Sequence, residues 1–331
     1  MNWHRHWLIG LLISCALLVH KPLSGQPPTE RKVIDPKQIK FDIDVATLVK
    51  PDVKWQVYTL ATPQVTAAGF ESQLGQFIGK DASRGKVNTV DDRLVYVSPT
   101  DASIYCSQDK ATGNLSLKKS LGAYLGEKTP QLPDAGAAEK LALESLQKYK
   151  LAPKNNSEIK MIHSGGLRMT SVKDGKGGAI IDKLRNITFG RQLEGIPVQG
   201  SGSKIVVRIG DRGDIVALTR RWREVAQARP VRAEELKDPR QVNEELRRLL
   251  ATEWSEAREI LVRQGALVYY DGDGKFIQPA YMFEATVVEG ENKYPYITAL
   301  PALKQPPESI GPAKMPPEAR SLLKKPKPEV E

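Results

Sequence analysis

Cysteine and histidine are scarce in this 331-residue chain, at two and four residues. Cys15, His4, His6 and His20 fall within the first 25 residues, so the remainder carries only Cys106 and His163. A single cysteine excludes an intrachain disulfide, and the fold has to hold by core packing. A single histidine cannot supply an HExxH pair, a histidine-rich metal cage or most of a Ser-His-Asp triad. No catalytic residue, metal ligand or cofactor is expected. Aromatic residues make up 6% of the chain, and no basic run is interleaved with them, so nucleic acid is not an expected partner. Long apolar runs are also missing. The run Trp7–Val19 spans thirteen residues, short of the roughly 18 that suggest a transmembrane helix.

That run, preceded by Arg5 and followed by the small residues Ser24 and Gly25, predicts an export signal over 1–25. Leu12-Ile13-Ser14-Cys15 is similar to the lipobox of bacterial lipoproteins, although the apolar run continues past Cys15. Lipidation at Cys15 and retention as an N-terminal anchor are therefore alternatives to cleavage. The expected location is outside the cytoplasmic membrane: secreted, periplasmic or on its outer face. The whole chain carries a net charge of +10; without Arg5 and Lys21 it carries 47 basic against 39 acidic residues, about +8. Such a balance suits an anionic envelope polymer, a lipid surface or an acidic partner, or simply a solvated surface.

Forty per cent hydrophobic residues is enough to build cores. The expected class is α+β, in tandem units each holding a helix and an antiparallel sheet. Residues 26–50 read as a polar linker. An N-terminal unit over 51–126 opens with a strand at Trp55–Leu60. A helix over Thr66–Ile78 follows, with Thr66 as cap and Phe70, Leu74 and Phe77/Ile78 as its apolar stripe. Strands are expected at Arg93–Ser98, Ala102–Ser107 and Asn114–Lys119. The second unit, 134–228, begins with a helix from Asp134 to Tyr149. It continues with a strand at Glu158–His163, a loose segment at Lys173–Gly178, and strands at Asn186–Leu193, Lys204–Ile209 and Ile215–Trp222. In the third unit, 232–300, Asp238-Pro239 starts a helix predicted to run to Gln264-Gly265. Strands at Ala266–Tyr270, Ile277–Val287 and Pro295–Leu300 follow it. The proline- and lysine-rich segment 301–331 reads as a disordered tail.

Phe189-Gly190-Arg191-Gln192-Leu193-Glu194-Gly195-Ile196-Pro197-Val198, followed by an Asp-Arg-Gly-Asp hairpin, resembles the PepSY-like modules of protease propeptides and secreted bacterial proteins. Val57-Tyr58-Thr59-Leu60, a helix, strands and Thr112-Gly113-Asn114-Leu115-Ser116 resemble the domains of YycH/YycI-type regulators, which act outside the membrane on a sensor kinase. Gln278 to Glu284 is similar to segments that follow PepSY-like modules. The resemblance spans roughly residues 53–300 in short stretches. It implies cystatin-like sheets wrapped on helices, used to bind or inhibit a protein or peptide rather than to catalyse. A protease propeptide would be followed by a catalytic domain, and none is expected from this sequence.

Several stretches carry candidate chemistry beside an ordinary structural reading. Gly195, Ile196, Pro197 and Val198 sit in a glycine-rich loop that could meet an extended peptide by strand addition, or serve as a crossover between strands. Arg221, Trp222 and Arg223 form a basic and aromatic cluster suited to an acidic partner, or a core tryptophan with solvated arginines. Arg212-Gly213-Asp214 and Asp271-Gly272-Asp273-Gly274 read as turns, because glycine and aspartate supply the positive φ that turns require. A calcium loop opening at Asp271 would need a glutamate where Met282 stands. His163 and Cys106 read as a turn-proximal residue and a small core residue. The expected function is that of an exported, non-catalytic binding or regulatory protein. The alternatives are an envelope hydrolase with an unrecognised site and a structural or adhesive surface protein.

Overall fold

The computed structural model describes residues 34–310 except 51, 127, 174 and 175. The export signal with Cys15, residues 26–33 and the tail from 311 lie outside the described residues. The fold is α+β: three α-helices on a large, mixed, mostly antiparallel sheet of 15 strands among the described residues.

The chain enters with two short 3-10 turns capped by Asp35 and Asp44, around β1 (Lys40–Phe41). β2 (Gln56–Leu60) leads to α1 (Ala67–Ile78), where the Thr66 hydroxyl accepts from the Gly69 amide at 3.1 Å. A meander follows: β3 (Asn88–Val90), β4 (Arg93–Val97), β5 (Tyr105–Asp109) and β6 (Leu115–Lys118). Asp134 caps α2 (Ala135–Lys148) at 2.8 Å. Then come β7 (Ile159–Lys173), β8 (Lys176–Leu193), β9 (Ile196–Gln199), β10 (Lys204–Ile209), β11 (Ile215–Arg221) and β12 (Val225–Pro230). Asp238 and Gln241 close a capping box at the start of α3 (Pro239–Glu253). β13 (Glu259–Asp271), β14 (Phe276–Glu289) and β15 (Asn292–Pro301) complete the chain.

The strand order is β12-β2-β14-β13-β9-β8-β10-β11-β6-β5-β4-β3, with β1 added on β13, β15 on β14 and β7 on β8. Two cores lie along it. The first packs α1 and α2 on one sheet face through Phe70, Leu74, Phe77, Ala142 and Leu146, over Tyr96, Leu117, Phe189, Val207, Leu218 and Trp222. The second packs α3 through Val242, Leu246 and Leu250 over Tyr58, Ile260, Tyr269, Tyr281 and Phe283. Each buried Leu, Ile or Phe contributes about 1.5–3 kcal/mol, so these clusters dominate stability.

Several expectations need correction. The two helices expected in separate units share the first core. The Trp55–Leu60 segment, expected to open the N-terminal unit, instead places β2 between β12 and β14, over the second core. The segment read as a linker to residue 50 is packed from Ile34 onward: Ile34, Ile39 and Val45 are buried in the second core, and β1 pairs in parallel with β13. α3 ends at Glu253, capped at Trp254, and not near Gln264. Ile260 and Leu261 continue its apolar spacing by coincidence: they belong to β13, where Ile260 and Val262 are the buried alternate residues. The strand expected at Glu158–His163 is the start of the longer β7, and of the segment expected to be loose, Lys173 belongs to β7 and residues 176–178 to β8, which pairs with it; residues 174 and 175 lie outside the described residues. The tail expected from 301 is packed at its start, with Ala302 and Leu303 buried and Glu308 accepting from the Gln278 side chain at 2.7 Å through its carbonyl.

Candidate functional site

β8 reaches both cores, and its alternation shows how. Ile187, Phe189, Arg191 and Leu193 are all buried, the first two in the first core and Leu193 in the second. Arg191 lies between them as the largest fully buried side chain among the described residues. Its Nε is 3.0 Å from Glu158 Oε2, Nη1 donates to Ser203 Oγ at 3.2 Å, and Nη2 donates to the Arg223 carbonyl at 2.6 Å. The guanidinium lies 4.1 Å over the Trp222 ring. Ser203 Oγ in turn donates to Asp271 Oδ2 at 2.7 Å, linking the node to the end of β13. Burial pulls the Arg191 pKa down, while Glu158, Asp271 and Glu224 pull it up. An arginine in such company stays charged.

The glycine-rich loop is shaped by this junction. Glu194 and Gly195, at φ 52° and 82°, form the two-residue turn between β8 and β9. Gly200 and Gly202 lie against Asp271: a Cβ at either would stand 2.2 Å from a backbone or carboxylate oxygen of that residue. Val198 is buried, Ile196 is half-buried and Pro197 is exposed. β9 pairs with β8 on one flank and β13 on the other, so the strand addition expected at residues 195–198 has no free edge to use. The second expected cluster divides. Trp222 is core, the Arg223 carbonyl serves Arg191, and Arg221 is exposed on the sheet face away from the helices.

A free edge does occur on β7, whose strand partner among the described residues is β8 alone. Beside its first turns, α2 and β7 enclose a groove of about 310 Å³. Leu143 and Leu146 of α2, Ile159 and Met161 of β7, Ala152 and Phe189 give it apolar walls, and Glu139 and Lys160 are at the rim. Glu158, paired to Arg191, fixes the point where β7 begins. Backbone donors and acceptors beside an apolar trough are what an added strand requires: the ladder supplies affinity and the trough reads alternate side chains. Sequence reasoning missed this feature.

The remaining candidates are ordinary in place. Cys106 is buried, and burial pushes its thiol up to about 11, which makes it a poor nucleophile at neutral pH. His163 is exposed on β7. Arg212 stands at the β10–β11 hairpin tip, its amide donating to the Gln131 carbonyl at 2.8 Å. In the β13–β14 turn, the Asp273 amide donates to Asp271 Oδ1 at 2.8 Å. Among the described residues, no helix is long and apolar enough to cross a membrane.

The class defined by these elements is an α+β protein with a large, mostly antiparallel sheet. Comparison with family models and with curated proteins finds no match. Among solved structures, the chain is similar to an uncharacterized protein from Eubacterium rectale, at 12% identity over 78% of this chain and 86% of that one, with a TM-score of 0.42. A likeness that distant carries no argument about function.

Proposed function

We propose that this chain is an exported, non-catalytic binding protein of the cell envelope, of PepSY-like character, that takes an extended segment of a partner protein as an added strand on β7. The observation that carries this reading is the unpaired edge of β7 beside the apolar groove under α2. Residues 1–25 support export, and the resemblance to modules that bind or inhibit supports a regulatory role, on a protease or on an envelope sensor. The Arg191–Glu158 pair ties the start of β7 to β8, which lowers the ordering cost of docking. The site of recognition moves from residues 195–198 to residues 159–173.

Random extended peptides displayed for selection against the chain, followed by calorimetry, test this. Peptides with alternating apolar residues should be enriched. Leu143→Arg, which puts a guanidinium into the trough, should weaken the selected peptides by roughly tenfold or more while the fold is kept, as for loss of one anchor contact. Equal binding to both proteins would refute the site.

A further inference from the structure

The sheet face turned away from α1 and α2 carries a second groove, of about 470 Å³, where the β13–β14 turn meets the strands from β5 to β10. Strand register arranges its floor. Ser107 on β5 stands opposite Ser116 on β6, and Ser116 opposite Thr219 on β11, giving a row of three hydroxyls across adjacent strands. Arginines flank the end of that row. Arg221 is two residues beyond Thr219 on β11, and Arg208 on β10 pairs with Ala217, two residues before it. Four residue steps of strand separate Ala217 from Arg221, about 13 Å. Side chains leaning inward from both ends can close on a group seated over Thr219.

Neither the Arg208 nor the Arg221 side chain makes a close ion pair or hydrogen bond among the described residues, although Arg221 acts on the Asp273 carboxylate through its charge; Arg168, Arg191, Arg220, Arg229 and Arg232, by contrast, pair directly with carboxylates. The carboxylates in the groove have donors of their own. Asp109 accepts from the Ala111 and Thr112 amides and faces Arg93 at 3.4 Å, and Asp273 accepts from Asn114 Nδ2 at 2.5 Å. The groove therefore presents two guanidinium groups whose N–H donors are unused, one of them in the field of Asp273, and a line of hydroxyls.

We infer that this groove binds a phosphate group, held between Arg208 and Arg221 over the Thr219 hydroxyl. Donors approach from both ends, from below and from Ser116 at the side. That spread suits a tetrahedral oxyanion, whereas a planar carboxylate directs its lone pairs into one plane. The hydroxyl row toward Ser107 suits a hydroxylated remainder, so the source is either free phosphate or the phosphate ester of a sugar or polyol. The site uses no residue of β7 and stands independently of the peptide-binding proposal.

The test is calorimetry on the full chain with inorganic phosphate, glucose 6-phosphate and glucose. Wild type should bind at least one of the two phosphates and not glucose. Preference for glucose 6-phosphate supports an ester as the ligand, and preference for inorganic phosphate supports the free ion. The double variant Arg208→Gln/Arg221→Gln should weaken binding by roughly tenfold or more, as charge-assisted contacts do. Lys140→Gln, a charge loss on α2 at the opposite face, should leave it unchanged. The inference is overturned if neither phosphate binds, if glucose binds equally well, if the double variant keeps wild-type affinity at an unchanged Tm, or if Lys140→Gln weakens binding as much.

Discussion

Replacing Arg191 with methionine probes the node that joins the two cores. The side chain gives up an ion pair at 3.0 Å, hydrogen bonds at 3.2 and 2.6 Å and stacking at 4.1 Å over Trp222. Hydrogen bonds to a charged group contribute roughly 1.5–3 kcal/mol each, and a desolvated cation–π contact about 2. Opposing these is the cost of holding a guanidinium and a carboxylate away from water, several kcal/mol per fully buried ion. Methionine also recovers about 1.5 kcal/mol or more of apolar burial. Glu158 is left unpaired but retains 15% side-chain exposure, and Ser203 keeps its bond to Asp271, so few stranded groups remain. The balance is a loss of about 3 kcal/mol, at the lower end for breaking a buried pair. Urea unfolding at pH 7, followed by tryptophan fluorescence and far-UV circular dichroism, measures it. Trp222 reports on the first core, and Trp55 and Trp254 on the second. A loss below about 1 kcal/mol, or a gain, would mean that apolar packing alone suffices there and would refute the reasoning.

Ile39→Ala should destabilise by about 2–4 kcal/mol, because Ile39 is 1% exposed in the second core; a true linker residue would cost nothing measurable in the same urea titration. Cys106 should resist a thiol reagent such as DTNB in the native protein and react on unfolding, since burial holds its thiol up near 11; rapid native labelling would contradict that packing. Burial raises the Asp273 carboxyl above its ordinary pKa, so the folded state holds its proton more tightly than the unfolded chain. That contribution to stability is present below the unfolded pKa and is lost as pH rises through the folded one. Asp273→Asn, which suits the φ of 67° there, should therefore gain stability at pH 7 and lose that advantage at acid pH, as read from Tm against pH.

Local signals made much of the fold legible. Thr66, Asp134 and Asp238 cap the three helices as their side-chain chemistry predicts, and Phe70/Leu74 and Val242/Leu246 face the cores at helical spacing. Long-range pairing left no such mark. β2 is read correctly as a strand, but its neighbours β12 and β14 are distant in sequence, and local pattern cannot say which sheet it joins. The stretch from Ile34 to Val45 packs through apolar residues at irregular spacing among aspartates and a proline, so it reads as a linker. Bulges at Met161/His163, Leu167/Arg168 and Thr170/Val172 break the two-residue period of β7, which hid its continuation beyond His163. Arg191 did leave a signal: an arginine at the inward parity of Ile187, Phe189 and Leu193 marks a buried charge that needs a partner.

The central claim is that β7 is an open edge that accepts a strand. Amide hydrogen exchange on the full chain, with and without a selected peptide, measures that edge directly. Protection concentrated in Ile159–Lys173 and along α2 is the predicted result. Unchanged exchange there, with protection appearing around residues 195–223 or nowhere, would contradict the account.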